Sequence, residues 1–322
     1  MKPTFVKKWT LMGFLALMLL APGWVAAQTT FGRIVVFGTS LSDPGNAFSI
    51  IKQMSLPPYD TLDPFLVPSA PYAMGGHHFT NGATWIEQLA RPLGLAGNAR
   101  PAFQAPGTEA SNYAVGGARA GGDGTDTLSV EVGAFLRDFN GAAPPDALYV
   151  VEMGANDIRD SIAALPDFVH AGAIINNALT GIGNNIGALY GAGARKFLVW
   201  NAPNLRLTPA VRILDKLFPG TGQAAEGLTQ SFNAGLENLL GSLAGLPGIE
   251  IVRLDAYGKL NELVADPETF GLSVVDTACI MPNQPPFECR MPDEFLFWDG
   301  IHPTAAVHAI IAQQAAVLLI QP

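Results

Sequence analysis

Arg33-Ile34-Val35-Val36-Phe37-Gly38-Thr39-Ser40-Leu41-Ser42-Asp43-Pro44-Gly45-Asn46 decides how the rest of this 322-residue chain is read. Ile34 to Phe37 form an unbroken apolar run of β-branched and aromatic residues, the composition of a strand buried on both faces. Gly38 stops the run, and Thr, Ser, Ser, Asp, Pro, Gly and Asn follow, residues that favour turns and helix starts. Ser40 therefore stands at the carboxyl end of a buried strand, where open α/β sheets gather their ligands. That position makes Ser40 a candidate nucleophile. A serine nucleophile needs a base, a group to orient that base and donors for an oxyanion.

Working outward, four further strands are expected at Ser111–Val115, Ala147–Met153, Lys196–Trp200 and Ile249–Leu254. Helical spacing is found from Ala83 to Arg91, Leu128 to Phe139, Phe168 to Tyr190 and Ala224 to Leu243, and a helix can begin within Ala47–Met54. A last helix is expected from Pro303, in the first helical position where its missing N–H costs nothing, to about Leu319. Strands alternating with helices imply a parallel sheet covered on both faces, a three-layer α/β/α sandwich with five mostly parallel strands. Pro57, Pro58, Pro64, Pro68 and Pro71 break the chain up to Tyr72, which reads as a long surface loop near the active face.

Composition narrows the function. The chain is 49% hydrophobic and 14% charged, with no compositional break, so one globular domain is expected over residues 28–322. Residues 1–27 read as a secretory signal peptide, with Lys2, Lys7 and Lys8, an apolar run from Leu11 to Ala21 and Val25-Ala26-Ala27 as a small-residue cleavage site. That apolar run is short for a bilayer span. The whole chain carries a formal charge of −9, and removing residues 1–27 takes three basic residues and no acid, leaving −12. An acidic surface argues against nucleic acid and against electrostatic docking on anionic membranes. A periplasmic or extracellular monomer without stable membrane insertion is expected. Export makes a disulfide the simplest reading of the only two cysteines, Cys279 and Cys289, and no His or Cys spacing suggests a metal.

Among the five histidines, His302 stands out in Phe297-Trp298-Asp299-Gly300-Ile301-His302-Pro303-Thr304. Asp299 lies three residues upstream, a spacing that lets its carboxylate meet the imidazole. Taken alone, Asp299 reads equally well as a turn former and His302 as a cap. His308 falls mid-helix, and His77 and His78 read as loop residues. Oxyanion donors are available in the backbone of Ser40, in Gly116-Gly117 and in the Asn156 amide, each also ordinary turn chemistry.

The order of these segments resembles a known family. Gly-Thr-Ser-Leu-Ser-Asp, Asn-Tyr-Ala-Val-Gly-Gly-Ala, Gly-Ala-Asn-Asp and Asp-Gly-Ile-His-Pro-Thr are similar to the four blocks of the GDSL, or SGNH, hydrolases. Phe79-Thr80-Asn81-Gly82 and Trp298-Asp299 resemble its secreted bacterial lipase-like branch. The resemblance implies Ser40 as nucleophile and backbone donor, Gly117 as second donor with Gly116 as the close alternative, and Asn156 as third. It implies His302 as base and acid, Asp299 as its orienter, a flavodoxin-like sandwich of five parallel strands, and no metal or organic cofactor. The implied reaction is hydrolysis of lipid or short-chain acyl esters, of lipase, esterase or lysophospholipase type. The apolar loop Leu62–Tyr72 leans towards acyl chains. Two rival readings are a carbohydrate acetylesterase and a catalytically inactive binding protein that keeps the fold. Thr39, where the family carries Asp, is the observation behind the second, since threonine supplies no carboxylate.

Overall fold

Hydrophobic alternation in the first strand sets the layering of the whole molecule. In the computed structural model, which describes residues 31–104 and 107–320, β1 (Arg33–Gly38) sends Val35 and Phe37 to one face of a sheet and Ile34 and Val36 to the other. The proposed signal peptide lies outside the described residues.

The elements then follow in the order α1 (Asn46–Ile51), α2 (Trp85–Ala90), α3 (Leu128–Asp138), β2 (Ala147–Glu152), α4 (Ala155–Ala163), α5 (Phe168–Ala192) and β3 (Lys196–Trp200). After these come α6 (Pro209–Leu217), α7 (Thr221–Leu243), β4 (Glu250–Leu254), α8 (Ala256–Ala265), β5 (Val274–Ala278), β6 (Phe295–Phe297) and α9 (Ala305–Ile320). The main sheet runs β1-β2-β3-β4, every pair parallel, with Val36 beside Val150, Val150 beside Leu198 and Leu198 beside Val252.

Val35, Phe37, Tyr149, Val151, Phe197 and Val199 share one core with Phe135, Ile186 and Leu236 of α3, α5 and α7. Their strand neighbours Ile34, Val36, Leu148, Val150 and Leu198 share the other with Trp85 of α2 and Ala312 and Ala315 of α9. A period of two in the strands thus places one helical layer on each face. The α/β/α sandwich agrees with the expected fold class.

The strand count differs. Ser111–Val115 lies parallel along β1, taking Val36 N–H on Ser111 O at 2.9 Å and giving Tyr113 N–H to Val36 O at 2.8 Å and Val115 N–H to Gly38 O at 3.1 Å. It forms only isolated bridges rather than a full strand, and Gly38 N–H, which would continue the ladder, donates to Glu131 Oε2 instead. The sheet therefore has four strands and a bridged edge segment. β5 and β6 form a second, two-stranded parallel sheet that the sequence did not suggest.

Three further corrections concern the catalytic edge. The last helix starts at Ala305, not Pro303, because Pro303 bridges Phe297 and Thr304 donates from its N–H to Leu296 O and from its hydroxyl to Phe295 O. These bonds hold residues 303–304 extended. The Pro-rich segment is not simply a surface loop, since Tyr59, Val67, Ala70 and Tyr72 are buried and Tyr72 packs edge-on against Trp298. Gly154-Ala155-Asn156-Asp157 is more than a turn, because it opens α4. The two cysteines are joined as expected, Cys279 to Cys289.

Candidate active site

Ser40, Asn156 and His302 arrive at one place because each follows or faces the carboxyl end of the parallel sheet. Ser40 is two residues past β1, Asn156 is four past β2, and His302 precedes α9. Ser40 Oγ lies 2.8 Å from His302 Nε2, and His302 Nδ1 lies 2.7 Å from Asp299 Oδ2. A carboxylate can only accept, so Nδ1 carries the proton and Nε2 is left to accept one from Ser40.

Asp299 is fully buried and surrounded by donors. Its Oδ1 accepts the N–H groups of Ile301 at 2.8 Å and His302 at 2.7 Å, and its Oδ2 also accepts the Tyr72 hydroxyl at 2.8 Å. Burial, and then the Asp299 charge, push the Tyr72 phenol well above its ordinary range, so it remains a donor. Gly300 makes this turn possible, because a Cβ there would stand 2.0 Å from the Phe65 carbonyl oxygen.

Phe79-Thr80-Asn81-Gly82 clamps the same loop from the other side. Thr80 Oγ1 donates to Pro303 O at 2.8 Å, Asn81 Oδ1 accepts the first N–H of α9 at 2.7 Å, and the Phe79 ring lies 5.4 Å from that of His302. Of the other histidines, His308 is buried, accepts Trp85 N–H at 3.2 Å and is pushed by burial down to about 3. It serves packing and the start of α2.

The donor side of the site separates two glycines that the sequence left as alternatives. Gly116 N–H donates to Asp43 Oδ2 at 2.8 Å, so it is engaged. Among the described residues, no acceptor is bonded to the N–H groups of Gly117 or Ser40. Gly117 has φ +89° and open space around its Cα. Asn156 Nδ2 gives one hydrogen to Ala118 O at 2.9 Å and keeps the second, while its Oδ1 accepts from Arg159 Nη1 at 3.3 Å. Gly154, at φ +111° and with Phe232 against its Cα, starts α4 so that its positive end meets this cluster.

Thr39, where a carboxylate was expected, is itself bonded to a buried acid. Glu152, buried at the end of β2, accepts Thr39 N–H at 2.9 Å, the Thr39 hydroxyl at 3.0 Å and the Ser42 hydroxyl at 3.1 Å. Trp85 Nε1 donates to Ser42 Oγ at 2.9 Å. Glu131 takes Gly38 N–H at 2.9 Å and Val115 N–H at 3.1 Å, and Asp43 takes Gly45 and Asn46 N–H at 2.8 and 2.6 Å. Three buried acids therefore hold the turn that carries Ser40. Sequence reading missed Glu152, although one acid in the apolar run Ala147–Met153 is a usable signal. It also missed Glu131 and Tyr72, whose partners are distant in sequence.

Burial pushes Glu152 from 4.5 up to about 7 and Asp43 from 3.8 up to about 6, against hydrogen bonds that lower both. The folded protein then holds protons that the unfolded chain releases, so this contribution to stability falls as pH rises from about 4 to about 7. Thermal melts should show wild type losing stability relative to Glu152→Gln between pH 5 and pH 8, by at most about 3 kcal/mol. An unchanged or widening wild-type advantage would contradict this.

Beside Ser40 opens a narrow, mostly apolar cavity. Its walls include Trp200, Leu254, Leu263, Phe297, Val307 and Ile311, with Ser40, Asn156 and His302 at its polar end. The apolar loop Leu62–Tyr72 does not line it. Phe65 and Val67 instead border a neighbouring groove.

A serine bonded to an oriented imidazole, beside unengaged N–H donors and an apolar cavity, defines a serine hydrolase of the acyl-transfer class. The profile of the GDSL-like lipase/acylhydrolase family matches residues 34–315, and the chain belongs to that family. It is 26% identical to the phosphatidylcholine-sterol acyltransferase of Aeromonas hydrophila over 98% of this chain and 97% of that protein. It is 27% identical to a GDSL esterase/lipase of Arabidopsis thaliana over 88% of this chain and 89% of that one.

Among solved structures it is similar to a catalytic mutant of an acetylxylan esterase from Geobacillus stearothermophilus, with TM-score 0.48, 12% identity, and 91% and 96% of the two chains covered. An extracellular lipase from Streptomyces rimosus gives TM-score 0.38 and 13% identity, with 88% and 99% covered. The protein is a serine hydrolase of carboxylic esters. Among the described residues, no helix is long and apolar enough to cross a membrane.

Proposed function

We propose that Ser40, His302 and Asp299 form the catalytic relay of this ester hydrolase, with Ser40 N–H, Gly117 N–H and the Asn156 amide as its oxyanion hole. The observation that carries the reading is the unbroken chain from Ser40 Oγ through His302 to Asp299, at 2.8 and 2.7 Å.

His302 Nε2 takes the Ser40 proton as Oγ bonds to the ester carbonyl carbon, and the three donors receive the charge on the carbonyl oxygen. Collapse breaks the C–O bond to the alcohol, which leaves with the proton from His302. Water then attacks the acyl-enzyme, giving its proton to His302, and the second collapse returns Ser40 and releases the acid. Asp299 holds the tautomer throughout and steadies the imidazolium. Residues 28–322 act as a single exported, monomeric domain once residues 1–27 are removed.

The apolar walls beside Ser40 support an acyl chain longer than acetyl, in lipid or short-chain esters, and so weigh against a carbohydrate acetylesterase. The named activity of the Aeromonas relative raises transfer to a non-water acceptor as a variant of the second half-reaction.

A p-nitrophenyl ester series from acetate to palmitate tests the reading. Specificity, kcat/KM, should rise from acetate to longer chains; a strict acetate preference would overturn the acyl-chain assignment. Asn156→Ala should lower kcat by about a hundred- to a thousandfold, the cost of one oxyanion donor, with the fold intact by circular dichroism. A loss below about threefold would remove Asn156 from the site.

A further inference from the structure

Arg159 is a cation that the catalytic cycle does not use, and it stands at the junction of an apolar cavity and a second, largely apolar groove. It lies one turn along α4 from Asn156 and borders both the cavity beside Ser40 and a second groove of about 900 Å³, counting open space. Phe65, Val67, Ile162, Val211 and Leu214 wall that second groove together with Asp63 and Asp160, and Ile301, next to His302, borders both.

The guanidinium is half-buried, and its one hydrogen bond among the described residues runs from Nη1 to Asn156 Oδ1. No carboxylate there pairs with it within 4 Å. Nearby acids are engaged elsewhere: Asp160 with Arg119 at 2.9 Å, Asp299 with His302, and Asp63 with the N–H groups of Phe65 and Val67, both at 2.8 Å. Lys259, which also borders the first cavity, differs because it is paired with Glu262 and lies over Phe270. Burial pushes Arg159 below its ordinary range, yet an arginine keeps its charge. A partly desolvated guanidinium with five donors and one bond is suited to an oxyanion, which it can grip at two oxygens.

Resting on the ester-hydrolase reading, the geometry points to Arg159 as the phosphate-recognition residue for a diacyl glycerophospholipid substrate. An apolar cavity and a largely apolar groove, whose two acids are engaged elsewhere, meet at one cation, which matches a molecule with two apolar chains and one anion near their junction. The phosphate belongs to the alcohol half of the ester, so it remains beside Arg159 while the acyl group bonds to Ser40. A free carboxylate has no such place, because hydrolysis forms it at the oxyanion donors.

The test compares kcat/KM for dihexanoylphosphatidylcholine and dihexanoylglycerol, matched in acyl chains and both used as monomers. Wild type should prefer the phospholipid by about tenfold or more, and Arg159→Gln should collapse that ratio towards one, with Arg159→Lys recovering part of it. Equal losses on both substrates would assign Arg159 to positioning Asn156 and overturn the proposal, as would a wild type without preference.

If Arg159→Gln does not fold, inhibition of the wild type decides. The diether analogue of the phospholipid should inhibit p-nitrophenyl butyrate turnover about tenfold more tightly than the dialkylglycerol. Equal inhibition by the two, or inhibition by inorganic phosphate as tight as by the diether, would refute lipid recognition. Absence of p-nitrophenyl butyrate turnover in the wild type would instead count against the ester-hydrolase assignment.

Discussion

Ser40→Ala is expected to lower kcat on p-nitrophenyl butyrate by about a millionfold, the scale on which serine hydrolases lose activity without their nucleophile. Removing Oγ removes the atom that bonds to the carbonyl carbon, and no other hydroxyl stands in its place. Ser42, two residues on, donates to Glu152 and accepts from Trp85, so it is committed to holding the turn. The substitution deletes one oxygen from a residue that is 8% exposed, and the fold should tolerate it. Steady-state kinetics with a melting curve check both halves. A residual rate within a hundredfold of wild type would move the nucleophile elsewhere.

Asp299→Asn should lower kcat by about ten-thousandfold. Four donors converge on the Asp299 carboxylate: Tyr72, the backbone of Ile301 and His302, and His302 Nδ1. An amide turns its NH2 towards at least one of them. Where it faces Nδ1, the imidazole is left with its proton on Nε2, pointing at Ser40, and can no longer accept the hydroxyl proton. The same change strips the imidazolium of its counter-charge. Substrate affinity should move far less than turnover, because Asp299 touches His302 rather than the acyl cavity. A fall in kcat smaller than about tenfold would mean that the carboxylate is a turn former after all.

The fold was legible because its strongest signals are local. β1, β2 and β3 are continuous apolar runs, each ended by turn residues, and such runs mark strands buried on both faces. α5 and α7 are long enough for their periodicity to survive their glycines. What escaped was short or held from a distance. β6 has three residues, and its partner β5 lies some twenty residues earlier, so neither carries a pattern of its own. The boundary of α9 depended on Asn81, more than two hundred residues away, capping Ala305.

The site divides in the same way. Ser40, Asn156, Asp299 and His302 sit in recognisable blocks. The bond from Gly116 N–H to Asp43, which supports Gly117 as the proposed donor, has no signal in the sequence. Thr39 looked like a break in the nucleophile turn when read along the chain, yet its N–H and hydroxyl both bond to Glu152, a buried acid on the next strand. Tyr72, inside a proline-rich loop, had no sequence signal for its bond to Asp299. Arg159 is one turn beyond Asn156, and its place between the cavity beside Ser40 and the second groove has no local signal in the sequence.

Covalent labelling of the folded protein with a fluorophosphonate, followed by mass mapping of its peptides, tests the central assignment most directly. One adduct on Ser40 is predicted for wild type, with no adduct in Ser40→Ala. An adduct on another serine, or a folded wild type that resists labelling and turns over no ester, would contradict it.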